Sequence, residues 1–355
     1  MEVFMTDSPR NAQTRAMPNS TDPSSGLGLF PAVRGVRLGM LNNPLSGGNR
    51  KGLQKIRKTA KAMLPEVLQR EVQTPQDVAA SLADFARREV NLIVINGGDG
   101  TVQAALTAIF QKKCFEAMPV LAVLPSAGTT SMIAGDVGLK GSRIGALQRL
   151  FRWARTKTEA DLVIQRPVLK VEVPAEKEPI YGMFFGTAAI YQASHFCHQK
   201  IHARGVRGEK AAGAALARYL LAVLLKDKKL ISAVPIATRL NQNSAKEQKY
   251  LLLFVTSLKR LFLGLRPYWG SETKPLHYTA ITDRPLHFLH ALPSLMRGRQ
   301  GRLIKPANGY ISHNIDHIQL ALSSGFNLDG ELYSSESALA PVTVSHGGQA
   351  SFLIL

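Results

Sequence analysis

Cysteine is almost absent from this chain: Cys114 and Cys197 are the only two in 355 residues, and no CxxC pair stands near either. That excludes a structural zinc cluster and argues against a disulfide framework, so a reducing compartment is the default. Long hydrophobic runs are missing too. The longest apolar stretch, Tyr250 to Leu265, is broken by Lys259 and Arg260, and nothing reaches the roughly 18 uncharged residues of a membrane-crossing helix. Acidic residues are scarce, 25 against 44 lysines and arginines, which leaves a formal charge of +19. Such a surface attracts nucleic acid, acidic lipid or nucleotide phosphate. Aromatic residues make up only 7%, and no stacking motif or zinc module is visible, so nucleic acid is not an expected partner. Neither GxxxxGK[ST] nor GxGxxG occurs, and GxSxG is also absent. The usual P-loop, dinucleotide and hydrolase signatures therefore do not apply.

What remains is a chain with 45% hydrophobic residues, enough for a packed core and, at this length, for two domains. Residues 1–34 open with a stretch rich in Ser, Pro and Asn and are expected to be a disordered leader outside the fold. From Val36, short apolar runs alternate with amphipathic segments, the pattern of a parallel sheet with crossover helices. Strands are expected at 36–41, 67–72, 92–95 and 120–124, and helices at 51–64, 76–89, 102–110 and 142–154. Thr74-Pro75 is a good helix start, since threonine caps free amides and proline suits the first helical position. After Asp161 longer β-type runs dominate, at 162–173, 231–240, 250–258, 276–281, 318–322, 326–328, 342–345 and 351–355, with one strong helix at 209–225. The expected fold class is α/β: a Rossmann-like parallel nucleotide domain over 35–158, then a mainly antiparallel β domain over 159–355. That second domain carries a helical insertion, and its carboxyl-terminal segment packs back on the first.

The most informative stretch is Ile93-Val94-Ile95-Asn96-Gly97-Gly98-Asp99-Gly100-Thr101, a buried-type strand that runs into three glycines around one carboxylate and then a helix. Glycines at the carboxyl end of a parallel strand leave backbone N–H groups open to an anionic phosphate. Taken alone, the stretch also reads as a tight turn with Asp99 as a cap. Similar small-residue loops follow two neighbouring strands, Asn42 to Gly48 and Pro125 to Ser131. Parallel strands place their carboxyl ends on one edge, so the three loops converge on one crevice.

The order NPLSGG, GGDGT, PSAGTT and a late Asp329-Gly330-Glu331 resembles the diacylglycerol kinase catalytic-domain family, whose relatives include sphingosine kinases and bacterial lipid kinases. The resemblance runs from about Val36 to the carboxyl terminus. It implies an ATP-binding α/β domain, a carboxyl-terminal β-sandwich, and transfer of the γ-phosphoryl of ATP to a lipid hydroxyl in the cleft. It further implies that Asn43, Pro44, Ser46 and Gly47 form the first phosphate loop and that Thr74 closes the second strand against the nucleotide. Gly97, Gly98, Asp99, Gly100, Thr101 and Gln103 form the glycine-rich ATP loop, Thr129 belongs to a GTxND stretch, and Glu331 takes the proton from the acceptor. Ser131 and Met132 stand where the family often has Asn and Asp.

Phosphoryl transfer asks mainly for positioning and charge neutralisation, with magnesium bridging phosphates and a carboxylate receiving the alcohol proton. Asp99 and Asp329 are the expected Mg2+ ligands, and Asp99 and Glu331 the expected catalytic pair. Asp329-Gly330 is by itself also a strong hairpin dipeptide. His195, His198 and His202 read as a polar helix surface, lacking a third carboxylate or thiol at metal spacing. Basic clusters flank apolar segments at 216–225 and 251–267, followed by Tyr268 and Trp269. This suits a cytoplasmic enzyme that docks peripherally on an anionic membrane to reach a lipid substrate. A homodimer is among the assemblies expected. The rival readings are an NAD kinase-like soluble kinase and a catalytically silent nucleotide- or lipid-binding relative.

Overall fold

The computed structural model describes residues 27–28, 35–125, 131–156, 163–174, 176–204, 232–241, 244–334 and 340–355, with backbone alone for 27–28 and 197–204. The expected helix at 209–225 and Thr129 lie outside the described residues.

The first half alternates strand and helix: β1 (Leu27–Gly28), β2 (Leu38–Asn42), α1 (Asn49–Met63), β3 (Leu68–Glu71), α2 (Pro75–Arg87), β4 (Leu92–Asn96), α3 (Asp99–Lys112), β5 (Val120–Val123), α4 (Met132–Val137) and α5 (Arg143–Thr156). Strands β3, β2, β4 and β5 lie side by side in that order, all parallel. Every residue of β2 and β4 is buried, because helices cover both faces, and that is why these strands read as unbroken apolar runs. Thr74 starts α2 with a full capping box: its side chain accepts from the Asp77 amide while the Asp77 carboxylate takes the Thr74 amide. Helix α4 escapes sequence reading because six residues, one of them Gly135, carry no usable period.

The second half comprises β6 (Val163–Glu172), β7 (Ile180–Gly182), β8 (Phe184–Ala188), α6 (Ala189–Arg204), β9 (Val234–Leu240), β10 (Lys246–Thr256), β11 (Leu276–Thr282), α7 (Phe288–Met296), β12 (Tyr310–Ile315), β13 (His317–Leu322), β14 (Phe326–Leu328), β15 (Glu331–Tyr333) and β16 (Val342–Leu353). Pairing among these strands is antiparallel throughout. The fold is thus mixed α/β, with an amino-terminal parallel core and carboxyl-terminal antiparallel strands. The two runs expected at 342–345 and 351–355 form one strand, whose register against β6 shifts between His346 and Gln349. Gly347 and Gly348 sit at that shift, Gly348 at φ +120°, a bulge that only glycine accommodates without strain. Ser351 and Phe352 of β16 pair in parallel with Val120 and Leu121 of β5, so the last strand joins the two halves of the sheet. Leu27 and Gly28, within the stretch expected to lie outside the fold, pair with Ile164 and Val163 along the open edge of β6.

Helix α3 is buried nearly all round, from Thr101 to Ile109. It lies between the parallel sheet and β7, where Thr107 bonds both the amide and the carbonyl of Tyr181 at 3.0 Å. One apolar cluster therefore spans Phe85, Ile93 and Leu106 on one side and Tyr181, Phe184 and Phe254 on the other. The glycine-rich loop that begins α3 is fixed from both halves of the molecule.

Candidate active site

The carboxyl ends of β2 and β4 are sewn together by asparagines. The Asn43 amide donates to the Asn96 carbonyl at 3.0 Å, Asn96 Nδ2 to Asn42 Oδ1 at 2.8 Å, and Asn49 Nδ2 to the carbonyls of Asn43 and Asn96 at 2.7 and 2.9 Å. Asn43 Oδ1 accepts the Leu45 amide, turning the loop, while its Nδ2 donates to Thr101 Oγ1 at 2.9 Å. The first loop is thereby locked onto the first turn of α3. Ser46 stands opposite Gly98, its Oγ 4.0 Å from where a Cβ would be. Pro44 and Gly47 complete this rim as partly to fully exposed loop residues. At Gly97 a side chain would run into Thr101, so the turn needs glycine for close approach rather than for an unusual dihedral.

Arg143 ties the third loop in. Its Nη1 donates to Asn49 Oδ1 at 2.8 Å and its Nε to the Pro125 carbonyl at 3.2 Å. Asn49, Asn96 and Arg143 were missed by sequence reasoning. A polar residue inside an otherwise apolar strand, as at Asn96, is the signal that could have found one of them.

Asp99, expected to cap its own turn or organise a metal, caps a different helix. Its two oxygens accept the Met132 and Ile133 amides at 2.8 and 3.2 Å, satisfying the first turn of α4 where Ser131 and Met132 replace the Asn and Asp of the resemblance. Burial pushes the Asp99 carboxyl up to about 7, against the pull of those amides. Asp136, on α4, forms a buried pair with Arg166 at 3.0 Å, its Oδ2 also taking the Lys259 amide at 3.1 Å.

The late motif is a two-residue hairpin. Leu328 pairs with Glu331, and Asp329 and Gly330 take φ of +50° and +96°, the doubly left-handed turn that Asp-Gly favours. The Asp329 carboxylate accepts the Met183 and Phe184 amides at 2.8 and 2.9 Å, and its amide donates to the Phe184 carbonyl. Asp329 is 1% exposed, and burial holds its carboxyl well above the usual range, with Asp99 nearby adding to the shift. Tyr333 accepts a bond from Gln103 Nε2 on α3 at 3.3 Å. Burial, then the carboxylates of Glu331 and Asp329, push its phenol up to about 12. So anchored, the hairpin sets the exposed Glu331 side chain directly against Gly100: a methyl group on Gly100 would overlap Oε1.

Asp99 and Asp329, the two carboxylates expected to hold Mg2+, are both engaged with backbone amides, and Asp329 is sealed from solvent. Among the described residues no three His, Cys, Asp or Glu side chains gather to hold a metal. Of the three carboxylates Glu331 is the exposed one, Asp99 is partly buried and Asp329 fully so. Thr74 lies just beyond β3 on the same edge of the sheet, its hydroxyl committed to the α2 cap at 3.1 Å. The expected loops after β2 and β4, the α3 start and Glu331 thus come together, and Asp99 and Asp329 stand beneath them as anchors.

The diacylglycerol kinase catalytic domain model matches residues 37–163. None of the curated proteins matches the sequence. Among solved structures, a protein of Bacillus anthracis str. Sterne proposed to be a diacylglycerol kinase aligns at TM-score 0.59 and 17% identity, over 90% of this chain and 97% of the other. A diacylglycerol kinase structure from the same organism aligns at TM-score 0.55 and 14% identity, over 89% and 96%. At these identities the likeness speaks for the fold, which extends over both halves. Over residues 37–163 the chain thus carries the sequence pattern of a diacylglycerol kinase catalytic domain.

Proposed function

We propose that this kinase transfers the γ-phosphoryl group of ATP to the hydroxyl of a lipid alcohol, diacylglycerol or a close relative. The observation that carries the reading is the contact between Gly100 and Glu331. It places a solvent-facing carboxylate, from the far end of the chain, at the lip of a loop whose amides have no side chains to shield them. A phosphate bound at Gly97–Thr101 and the Asn43–Gly47 rim would present its terminal phosphorus toward Glu331. An alcohol entering between them would give its proton to the carboxylate as its oxygen attacks.

The chain's own contribution is positional. Asn43 sets the rim against Thr101, Asp99 fixes α4 and the end of the third loop, and Asp329 with Tyr333 aims Glu331. ATP brings magnesium to such a reaction as the complex of its phosphates.

The test is incubation of the full chain with γ-labelled ATP and a panel of lipids led by diacylglycerol. Label is expected in the organic phase, and Glu331→Gln is expected to slow its appearance by about 10²- to 10⁴-fold with the KM for ATP little changed. Label confined to a water-soluble acceptor would overturn the lipid assignment. A Glu331→Gln rate within a few-fold of the parent would remove the base.

A further inference from the structure

Helix α7 presents the wrong face to water. Ala291 and Leu295 are buried against Ile281, Ile304 and Tyr310, but the opposite stripe is not polar: Leu289 is 61% and Met296 39% exposed, and Pro293 is exposed between them. Leu286, just before the helix, is 54% exposed. The turn Phe262–Gly264 adds Leu263, 80% exposed at φ +57°. The two segments are joined, since the Arg266 amide donates to the Met296 carbonyl at 3.1 Å. Exposed leucines occur singly on most surfaces, but a stripe with a neighbouring apex marks a contact face.

Its rim is of one sign. Arg260, Arg266, Arg297 and Arg299 are all exposed, and none has an acidic partner among the described residues. Between residues 257 and 315 the sequence contains only two acids, Glu272 and Asp283. Glu272 is engaged by His313 and Asn314.

We infer that this face, the turn at Leu263 with the outer stripe of α7, is where the protein docks on an anionic bilayer, its leucines at the acyl boundary and its arginines on headgroup phosphates. The charge pattern selects that occupant. A two-fold contact between copies would set the same arginines against each other, whereas an anionic surface neutralises them while the boundary region accepts the apolar tips. The face is also linked to the site: the Phe262–Gly264 turn packs on α4, with Leu258, Leu261, Ile133 and Val137 in one apolar cluster. The other end of α4 is held by Asp99. Six helical residues span about 9 Å, so a bilayer touching Leu263 lies one short helix from the glycine-rich loop. The inference deepens the lipid-kinase reading and rests on it for its purpose, though not for its test.

The test is flotation of the full chain with vesicles of phosphatidylcholine alone and of phosphatidylcholine mixed with phosphatidylglycerol, beside phosphorylation of a short-chain diacylglycerol dispersed without vesicles. The parent is expected to bind the mixed vesicles and to come off as salt shortens the reach of its charges. Leu263→Ala with Leu289→Ala is expected to weaken binding at least about tenfold, and Arg266→Gln with Arg297→Gln to remove the preference for phosphatidylglycerol. Both pairs should phosphorylate the dispersed substrate as the parent does. Parent-like vesicle binding by the leucine pair would overturn the inference, as would a parent that ignores mixed vesicles while phosphorylating the dispersed lipid. A solution dimer that the leucine pair breaks, with vesicle binding intact, would assign the face to self-association instead. Leucine-dependent vesicle binding without any lipid phosphorylation would keep the docking face and sink the kinase reading.

Discussion

The Gly100 α-carbon rests against the carboxylate of Glu331, and no other residue type at position 100 would leave that carboxylate where it is. Gly100 is helical, so alanine there satisfies the backbone and gains up to about 1 kcal/mol in propensity. The collision is with the mobile end of a side chain, which can swing away. Gly100→Ala is therefore expected to keep or slightly raise the melting temperature while kcat falls about 10- to 100-fold, seen by pairing calorimetry with the labelled-ATP assay. An unchanged kcat would mean that the position of Glu331 does not matter.

Asp99 gives a pH signature. Its folded carboxyl titrates at about 7, raised by burial from an unfolded value of 3.8. Between those values the folded state holds a proton that the unfolded chain releases, so the contribution to stability is complete below about pH 4 and is lost as pH rises to 7. Asp99→Asn has no such proton. The stability of the parent relative to Asp99→Asn should decline from pH 4 to 7 and level off above it, read from urea midpoints at each pH. A flat difference would show that the amides of Met132 and Ile133 fully offset burial.

The Asp136–Arg166 pair is buried, with side chains 3% and 9% exposed. Removing one partner strands a charge in the interior, and Arg166→Met is expected to cost about 3–5 kcal/mol. Combining it with Asp136→Asn should recover much of that loss, as a double-mutant cycle in denaturant would register. A double variant that loses the sum of the two single losses would leave the pair without coupling.

Tyr333→Phe removes the bond to Gln103, a tie between residues 230 positions apart. The stability cost should be about 1 kcal/mol. Because the same hairpin carries Glu331, kcat should fall several-fold while the KM for ATP holds. A loss confined to stability would make Tyr333 a packing residue only.

Much of the parallel half was legible along the chain. Fully buried strands advertise themselves as apolar runs, as Leu92 to Ile95 does ahead of Asn96, and Thr74-Pro75 carries its cap chemistry in two letters. The Asp329-Gly330 turn was equally local, since a pair of left-handed dihedrals asks for that dipeptide. Helix α7 was not, because Pro293 and an apolar outer stripe hide its period.

Residue types and local spacing thus settled where the small-residue loops lie and which carboxylates are available near them. Which carboxylate faces the crevice was decided by folding alone. Asp99, Asp329 and Glu331 are chemically alike in one dimension, and what separates them is whether a backbone amide from a distant strand or helix reaches their oxygens. Met132 and Ile133 claim Asp99, Met183 and Phe184 claim Asp329, and Glu331 is left open. Hydrogen bonds that reach across some thirty residues, as at Asp99, or nearly a hundred and fifty, as at Asp329, leave no mark in local composition, because they depend on which elements pack together.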